Sequence, residues 1–281
     1  MDKIIGIIGA GNMGEAFVGA LVRSGISPPE RIRIHDISSA RVDMLHQTYG
    51  VIPVCDNRSV FQDSDIVILA VKPQQLPDIV SSVAKSIDLA ALEQRKVVIS
   101  IAAGIRIRKL EEILYAALHE SARRNLPIIR VMPNTPALVL AGMSAMSGNR
   151  YADHVDLALA RSLLSSMGAV VEVQEEAMDA VTALSGSGPA YVFYFVEALI
   201  EAGIALGFDP ETAVKLTERT FEGALRLLQE KGEPPAELRR KVTSPGGTTE
   251  AALNVLRNND VKQIIVQAVF AAAERSKELS R

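Results

Sequence analysis

The stretch Gly9-Ala10-Gly11-Asn12-Met13-Gly14 decides the fold of this chain. It follows an apolar run at residues 4–8 and precedes a helical pattern at about residues 14–24. In this strand–turn–helix setting, G-x-G-x-x-G spacing is typical of a dinucleotide-binding turn. Gly9 permits the tight turn, Gly11 lets the backbone approach a pyrophosphate, and Gly14 allows the helix to pack closely on the strand. The start of the helix then meets the phosphates with unpaired N–H groups.

The end of the second predicted strand bears on the choice of dinucleotide. Asp36 stands there, 22 positions after Gly14. A carboxylate at this point accepts from a ribose 2′-hydroxyl and repels a 2′-phosphate, which favours NADH. Ser38 and Arg41 follow and offer donors to a 2′-phosphate, although Arg41 also fits a solvated helix position. The sequence does not decide between NADH and NADPH as the cofactor. FAD fits poorly because no further flavin motif follows.

Short β-rich runs alternate with helical patterns in the N-terminal part, which indicates a parallel sheet with crossover helices. Two of the apolar runs are continuous, as expected of strands that are buried on both faces. We therefore predict an α/β domain of the Rossmann dinucleotide-binding type over residues 1–174. The predicted strands cover residues 4–8, 31–36, 65–71, 97–101 and 128–132, with 170–173 at the sheet edge.

Small and polar residues stand where several of these strands end. Ligands of open α/β sheets bind beyond the carboxyl ends of the strands, so we expect these residues to line a cofactor crevice. A plain surface position is the alternative for Lys72, and simple turn chemistry is the alternative for Asn134. The positions concerned are Ala70, Val71, Lys72, Pro73, Ala102 and Asn134.

The second part of the chain, from about residue 175, has helical patterns with short Pro/Gly breaks and no β-rich runs. Asp209-Pro210-Glu211 has the cap, first-turn proline and acidic residue of a helix start. Asp260 is expected to cap the last helix, which carries one apolar stripe. We predict an all-helical domain over residues 175–281. Its helices are expected at residues 189–206, 210–231, 235–242 and 249–257, and from 261 onward.

The helix at residues 190–206 is apolar on nearly every face, with Glu197 and Glu201 as its charged positions. Such a helix is buried or lies in a membrane. The two carboxylates make it a poor span, because a span needs about 20 largely uncharged residues. About a hundred residues of helix offer little core to surround it. We therefore expect a homodimer formed through the C-terminal domain, with a well-packed monomeric core as the alternative.

A second glycine-rich segment, Val-Thr-Ser-Pro-Gly-Gly-Thr-Thr-Glu at residues 242–250, interrupts the helices. We name it the Gly-Gly loop. A helix restarts within it, and a helix start offers unpaired N–H groups and partial positive charge. The adjacent glycines let the backbone close around a small anion, while Ser244, Thr248 and Thr249 add hydroxyls. The loop predicts a pocket for a compact carboxylate, and plain helix capping by Ser244 and Thr249 is the alternative.

The composition argues against several classes of protein. A net charge of −3 over 281 residues gives no electrostatic basis for binding nucleic acid or an anionic membrane. The single cysteine, Cys55, excludes an internal disulfide and a multi-thiolate metal site. The four histidines lack metal-ligand spacing, so no metal is expected. No signal-peptide pattern opens the chain, and we expect a cytoplasmic protein.

Together these motifs resemble the pyrroline-5-carboxylate reductase family, in order and over essentially the whole chain. The last segment is the most specific, because many dehydrogenases share the first glycine motif. The segments are Gly9-Ala10-Gly11-Asn12-Met13-Gly14, Ala70-Val71-Lys72-Pro73-Gln74, Ser100-Ile101-Ala102-Ala103-Gly104, Met132-Pro133-Asn134-Thr135-Pro136-Ala137, Gly186-Ser187-Gly188-Pro189-Ala190-Tyr191 and Ser244-Pro245-Gly246-Gly247-Thr248-Thr249.

The resemblance implies reduction of L-1-pyrroline-5-carboxylate to L-proline by NAD(P)H, the last step of proline biosynthesis. It also implies a helical domain that interleaves with that of a dimer partner, sometimes in larger rings of dimers, so that the Gly-Gly loop can serve the partner's Rossmann domain. By the same resemblance, Thr249 reaches the ring nitrogen as the catalytic residue. The implied substrate-binding residues are Ser244, Gly246, Gly247, Thr248 and Thr249.

The implied cofactor is NADP or NAD, and Asn57 matches a family position near its ribose. Many members carry a neutral residue at the position of Asp36, so their tolerance of NADPH is not inherited. Members often carry Lys-Asp where this chain has Arg239-Arg240, so no carboxylate role is carried over to Arg240. The predicted cofactor residues are Gly9, Gly11, Asn12, Met13, Gly14, Asp36, Ser38, Asn57, Ala70, Val71, Lys72, Pro73, Ala102 and Asn134.

The source of the imine proton stays open, because the second domain supplies no compelling His, Cys or Lys acid. Either the substrate binds already protonated or the Thr249 hydroxyl relays the proton. Two other functions are considered. A β-hydroxyacid dehydrogenase shares the first glycine motif, but the helix at residues 190–206 lacks the lysine on which those enzymes depend. A nucleotide-sensing protein without catalysis is the other alternative.

Overall fold

The computed structural model describes residues 2–92 and 94–280. They form two compact units, one of Met1–Gly186 with Ala273–Arg281 and one of Ser187–Ala272. The domain boundary expected from the sequence, between residues 174 and 175, stays a prediction.

A sheet forms the centre of the first unit. Its strands are β1 (Ile5–Ile8), β2 (Ile32–His35), β3 (Ile52–Pro53), β4 (Ile66–Leu69), β5 (Val97–Ser100), β6 (Ile128–Met132), β7 (Gly142–Gly148) and β8 (Gly168–Glu172). Among the described residues the strand order is β3-β2-β1-β4-β5-β6-β7-β8. Neighbours from β3 to β6 are parallel, β7 runs antiparallel to β6, and β8 is parallel to β7. The chain crosses to β2 on one side of β1 and to β4 on the other, which is where open sheets bind ligands.

The helices of this unit are α1 (Asn12–Arg23), α2 (Ser39–Tyr49), α3 (Asn57–Gln62), α4 (Leu76–Ser86), α5 (Ile107–Leu114), α6 (Glu120–Arg124), α7 (His154–Ser165) and α8 (Met178–Val181), followed by a π-helical turn at Thr182–Gly186. The side chains of β4 and β5 are buried on both faces, as predicted, and those of β1 are buried as well. They contribute to two buried clusters, one with Phe17 and Leu21 of α1, the other with Val80 of α4 and Leu110 of α5. α1 begins at Asn12, earlier than predicted, because Gly11 is already its N-cap.

The sheet is larger than the sequence indicated, and it is not purely parallel. β7 and the two-residue β3 have no counterpart among the predicted strands. β7 consists of Gly, Met, Ser and Ala, so it lacks the β-branched and aromatic residues that favour strands, and it shows no polar–apolar alternation. Its conformation therefore depends on its pairing with β6 and β8. The predicted edge strand at residues 170–173 is confirmed as part of β8.

The second unit is helical. Its helices are α9 (Gly188–Ala205), α10 (Pro210–Lys231), α11 (Pro235–Lys241), α12 (Thr248–Asn258) and most of α13 (Val261–Leu279). The predicted cap of α10 is confirmed, because the Asp209 carboxylate accepts from the Thr212 N–H at 3.0 Å. Asp260, the expected cap of α13, has φ +50°, and its carbonyl oxygen accepts from the Ile264 N–H at 3.0 Å.

The last turns of α13 belong to the first unit, which the sequence did not indicate. The Ser276 hydroxyl donates to Asp179 Oδ1 at 2.7 Å, and the Ser280 hydroxyl donates to the same oxygen at 3.1 Å. The Leu279 carbonyl oxygen lies 3.3 Å from where a Cβ on Gly104 would stand. The chain end therefore packs on the loop that follows β5.

Apolar side chains are exposed throughout the second unit when it is taken by itself. α9 has no buried residue, and Phe193 and Tyr194 are 65% and 71% exposed. Val255 and Phe270, on later helices, are also mostly exposed. Contiguous apolar surface of this kind marks an interaction site. The alternative of a well-packed monomeric core is therefore wrong for this unit.

By length and composition alone, the helical stretch Glu175–Ala205 is apolar enough to cross a membrane, with a mean hydropathy of 1.2. Glu197 and Glu201 do not prevent this, since two charges within 18 consecutive residues are still compatible with a span by length and composition, contrary to the expectation from the sequence. Apolar helices that another subunit covers pass the same test.

Lys96 is buried just before β5, at the amino end of the sheet. Its ammonium group donates to the Ser64 carbonyl oxygen and, at 3.5 Å, to that of Gln62. Burial lowers the pKa of Lys96 to about 8, although the nearby carboxylates of Asp65 and Asp63 oppose the shift.

We expect the stability of the wild-type protein, relative to Lys96→Met, to rise with pH from about 8 to about 10. In this window the unfolded chain keeps a lysine proton that the folded chain has released, so a rise in pH disfavours unfolding. The difference in unfolding free energy should change by about 2 kcal/mol. Urea unfolding of both proteins across the window measures it. Burial also raises the pKa of Tyr115, but that residue is common to both proteins and cancels. A difference that does not vary with pH would contradict this account.

Candidate active site

The glycine turn between β1 and α1 has the geometry that a dinucleotide requires. Gly9 has φ +111°, and a Cβ there would lie 2.6 Å from the Ala70 carbonyl oxygen. A Cβ on Gly14 would overlap the Gly9 carbonyl oxygen, so α1 reaches this turn only without a side chain. Around Gly11, by contrast, no atom lies within 4 Å of where a Cβ would stand. This open space fits a pyrophosphate close to the backbone.

Two crevices that share residues open at the carboxyl ends of the strands. The β2 crevice has a volume of about 680 Å³ and the β5 crevice about 540 Å³. Gly14 lines neither, because it is buried beneath the turn. Of the predicted cofactor residues, Gly9, Gly11, Asp36, Ser38, Asn57, Ala70, Val71 and Lys72 line the β2 crevice. The β5 crevice is lined by Gly11, Asn12, Met13, Ala70, Val71, Lys72, Pro73, Ala102 and Asn134.

Several residues that line the two crevices were not predicted from the sequence. Gln75, Asp78 and Ile79, around the start of α4, contribute to the β2 crevice. Their i, i+3, i+4 spacing was visible, but any helix face shows it. Gly186, in the π-helical turn, lines the β5 crevice, and a Cβ there would overlap the end of the Met132 side chain. Only tertiary packing reveals that approach.

Asp36 is already hydrogen bonded by the backbone. Its Oδ2 accepts from the Ala10 N–H at 2.7 Å, and its Oδ1 accepts from the Ser38 N–H at 2.8 Å. These bonds fix the carboxylate at the end of β2, and each oxygen keeps a further lone pair. A ribose hydroxyl can therefore still donate to it.

Arg41 is neither free for a phosphate nor simply solvated. Its Nε donates to the Ala10 carbonyl oxygen at 2.8 Å, and its Nη2 pairs with Glu15 Oε2 at 2.7 Å. Both alternatives considered from the sequence missed the partner on α1, because the two residues are far apart in the chain.

The Asn134 side chain braces the loop after β6. Its Oδ1 accepts from the Met143 N–H at 2.8 Å, and its Nδ2 donates to the Ser185 carbonyl oxygen at 3.3 Å. The amide thus ties the β5 crevice to β7 and to the π-helical turn. Asn134 lines the β5 crevice as expected, and its side chain hydrogen bonds to neighbouring backbone groups of the protein.

The Gly-Gly loop of the second unit is a tight turn that leads into α12. Gly246 has φ +70°, and the Gly247 N–H donates to the Ser244 carbonyl oxygen at 3.1 Å, as in a type II turn with Pro245 in second position. The Gly246 N–H donates to Glu250 Oε2 at 2.7 Å. A carboxylate of the chain itself therefore occupies one donor of this turn.

The hydroxyls of this loop are not used for capping. Gly247 is the N-cap of α12, and no side chain caps this helix. The hydroxyls of Ser244, Thr248 and Thr249 have no hydrogen-bond partner among the residues described. The alternative of plain helix capping is therefore wrong. What remains is a cluster of donors at a helix start, which suits a small anion.

The described residues contain no group of three or more His, Cys, Asp or Glu side chains placed to hold a metal ion. A glycine turn at the switch point of a parallel sheet, crevices at the strand ends and a helical second unit together indicate a class of protein. The protein is a nicotinamide-dinucleotide-dependent oxidoreductase.

Comparison with known proteins narrows this class. Residues 175–279 match the family described as pyrroline-5-carboxylate reductase dimerisation, and residues 4–104 match NADP oxidoreductase coenzyme F420-dependent. The pyrroline-5-carboxylate reductase of Corynebacterium melassecola is 42% identical over 99% of this chain and 98% of its own. The solved structure of the Coxiella burnetii pyrroline-5-carboxylate reductase is 37% identical, with a TM-score of 0.88 and complete coverage of both chains. The Plasmodium falciparum pyrroline carboxylate reductase, solved with NADP bound, is 30% identical with a TM-score of 0.86, covering 100% of this chain and 99% of that one.

The chain belongs to the pyrroline-5-carboxylate reductase family. Its activity is the NAD(P)H-dependent reduction of L-1-pyrroline-5-carboxylate to L-proline, the last step of proline biosynthesis. This confirms the fold class, the resemblance and the nicotinamide cofactor expected from the sequence. The two alternative functions, a β-hydroxyacid dehydrogenase and a nucleotide-sensing protein without catalysis, are therefore wrong. The C-terminal match identifies a dimerisation region, so the exposed apolar helices serve to form an oligomer.

Proposed function

We propose that the Gly-Gly loop holds the carboxylate of L-1-pyrroline-5-carboxylate during its reduction. The observation that carries this proposal is the set of unpartnered hydroxyls around a glycine turn at the start of α12. Backbone N–H groups at a helix start and hydroxyl donors together suit a carboxylate without an arginine. The Glu250 carboxylate accepts from the Gly246 N–H at 2.7 Å, and this hydrogen bond must break before the N–H can donate to the substrate. The residues assigned to the substrate are Ser244, Gly246, Gly247, Thr248 and Thr249.

The cofactor is assigned to the two crevices of the first unit. The start of α1, with Asn12 and Met13, is proposed to meet the pyrophosphate, because no side chain caps that helix start. Asp36 is proposed to accept from the adenosine ribose. The β5 crevice, with Ala102 and Asn134, is proposed for the nicotinamide end. The other assigned cofactor residues are Gly9, Gly11, Gly14, Ser38, Asn57, Ala70, Val71, Lys72 and Pro73.

When bound, the reduced nicotinamide supplies a hydride to the imine carbon. The residues of the chain position the substrate and hold or transfer the proton of the imine nitrogen. Anchoring the carboxylate fixes the ring so that its imine carbon is presented in one orientation, which is a proximity effect. We assign Thr249 to the ring nitrogen, because its hydroxyl is free to hydrogen bond there. That hydroxyl holds or relays the proton that makes the carbon electrophilic.

We further propose a homodimer formed through the helical region, with larger rings of dimers built from it. The exposed apolar residues of α9 support this assembly, since an isolated unit leaves them in water. Residues 1–174 are proposed as the dinucleotide-binding domain and 175–281 as the substrate-binding and dimerisation domain. We also propose a cytoplasmic protein that binds neither nucleic acid nor membrane, which the net charge of −3 supports.

Ser244→Ala tests the carboxylate anchor through two substrates. A hydrogen bond to a charged group is worth about 1.5–3 kcal/mol, so kcat/KM for pyrroline-5-carboxylate should fall about tenfold or more. For 1-pyrroline, which lacks the carboxylate, kcat/KM of the same variant should stay within about twofold of the wild-type value. Steady-state rates with both imines measure this.

Thr243→Ala is the matched control for this experiment. Its hydroxyl donates to the Arg239 carbonyl oxygen at 2.6 Å, so its loss should affect both imines alike. If Ser244→Ala slowed both imines equally, the assignment of the carboxylate to this loop would be wrong.

A further inference from the structure

The backbone of Ala10, in the glycine turn, is hydrogen bonded at both its N–H and its carbonyl oxygen by residues that follow β2. Its N–H donates to Asp36 at 2.7 Å, and its carbonyl oxygen accepts from Arg41 Nε at 2.8 Å. The same guanidinium reaches across to α1, where its Nη2 pairs with Glu15 Oε2 at 2.7 Å. Glu15 lies in the first turn of that helix. The cation beside Asp36 is therefore engaged at two of its nitrogens.

This arrangement sets the charge at one corner of the β2 crevice. Asp36 and Arg41 line this corner, and Glu15, which lies outside the lining, brings a second carboxylate to it through its pair with Arg41. The neighbouring side chain of Ile37 is 86% exposed and brings no charge. His35 also lines the crevice, but its Nδ1 lies 3.1 Å from the Val54 carbonyl oxygen. A ribose 2′-hydroxyl meets an acceptor there, whereas a 2′-phosphate would add about two negative charges beside an excess of carboxylate.

Arginine recognises phosphate best when it can present paired N–H donors. Its contacts with Ala10 and Glu15 occupy the Nε and Nη2 edge of Arg41, so only the Nη1 and Nη2 end can pair with a phosphate while Glu15 stays bound. Release from Glu15 would free the charge of Arg41 for the phosphate, and the partial exposure of the pair keeps the cost of that exchange modest. Glu15 therefore acts on the 2′-phosphate in two ways, since it occupies the guanidinium and adds a like charge.

We propose that Glu15 is a positioning residue for cofactor specificity, which withholds Arg41 from a 2′-phosphate and, with Asp36, makes the site select NADH over NADPH. This inference rests on the proposed placement of the cofactor in the β2 crevice. It does not depend on the substrate loop.

Binding without substrate tests the inference separately from catalysis. The chain contains no tryptophan, so the fluorescence of bound NADH and NADPH can be followed without indole emission. Wild type should bind NADH more tightly than NADPH. Glu15→Gln keeps the size of the side chain and removes its charge. It should tighten NADPH binding about three- to tenfold and leave NADH within about twofold.

A double variant shows whether the effect passes through Arg41. In Glu15→Gln combined with Arg41→Met, most of the gain for NADPH should disappear. Arg41→Met alone should weaken both cofactors, because it loses the bond to Ala10, and should shift the ratio of the two dissociation constants further toward NADH, because it removes the one cation of this group. Asp36→Asn, which removes the other carboxylate charge, should shift that ratio in the same direction as Glu15→Gln.

Calorimetry with 5′-AMP and adenosine 2′,5′-bisphosphate assigns the change to the 2′-phosphate, the one group by which they differ. Preference of the wild type for NADPH, an unchanged ratio in Glu15→Gln, or a gain that survives loss of Arg41 would each overturn the proposal. A failed carboxylate assignment at Ser244 would leave these binding ratios intact, so the two failures are distinguishable.

Discussion

Gly14→Ala is expected to lower kcat/KM for the cofactor about 100-fold or more. The added methyl group would overlap the Gly9 carbonyl oxygen, and a Cβ on Gly9 itself has no room beside Ala70. Either α1 moves away from the turn or the turn opens, and a misplacement of about 1 Å costs about 100-fold in rate. Overpacking of this kind costs about 1–3 kcal/mol, which lowers Tm by about 2–4 °C per kcal/mol in a chain of this size. Steady-state kinetics, cofactor fluorescence and thermal melts measure these effects.

Gly11→Ala is the matched control, because nothing lies within 4 Å of the added methyl group. The Tm of this variant should stay close to that of wild type. Its cofactor affinity should still fall, since the methyl group takes the space in which a pyrophosphate approaches the backbone. The pair thus separates the packing role of one glycine from the ligand role of the other. Wild-type Tm and cofactor affinity in Gly14→Ala would refute the packing role of Gly14, and wild-type affinity in Gly11→Ala would refute the ligand role of Gly11.

Thr249→Ala is expected to lower kcat/KM for pyrroline-5-carboxylate about 100-fold while the affinity for NADH and NADPH stays nearly constant. The hydroxyl of Thr249 has no partner among the residues described, so its removal disturbs no contact of the fold. Positioned proton transfer contributes about 100-fold or more to a rate, and the loss should therefore appear mainly in kcat. Steady-state rates as a function of pH, together with cofactor titrations, measure it.

Two replacements of the same residue separate chemistry from shape. Thr249→Ser keeps the hydroxyl and should recover activity to within about tenfold of wild type. Thr249→Val keeps the branched shape and should be as slow as Thr249→Ala. An equal loss of cofactor binding in Thr249→Ala, or full activity in Thr249→Val, would remove this residue from the ring nitrogen.

Much of the fold was predictable because it follows from local rules. The continuous apolar runs of β4 and β5 indicated strands that are buried on both faces. Asp209-Pro210 starts a helix by capping and fixed φ, which act within one turn of the chain. The strand β7, made of Gly, Met, Ser and Ala, was missed because its conformation comes from its neighbours.

Which residues line the two crevices was predictable to a similar extent. Strand ends in a parallel sheet meet at one edge, so the predicted cofactor residues gather in the two crevices, with Gly14 beneath them. Their hydrogen bonds were not predictable. Asn134 braces Met143 and Ser185, and Asp36 holds two backbone N–H groups, because a side chain takes whichever partner the fold brings near.

The class of fold, the glycine turn between β1 and α1 and the glycine turn that leads into α12 could be read from the sequence alone. Each depends on the type and spacing of a few nearby residues, because steric and hydrogen-bonding rules act locally. Tertiary structure alone decided the pairing of Glu15 with Arg41 and the return of Ser276 to Asp179. These contacts join residues 26 and 97 positions apart, and at such separations the packing of the sheet, not the local sequence, selects the partner.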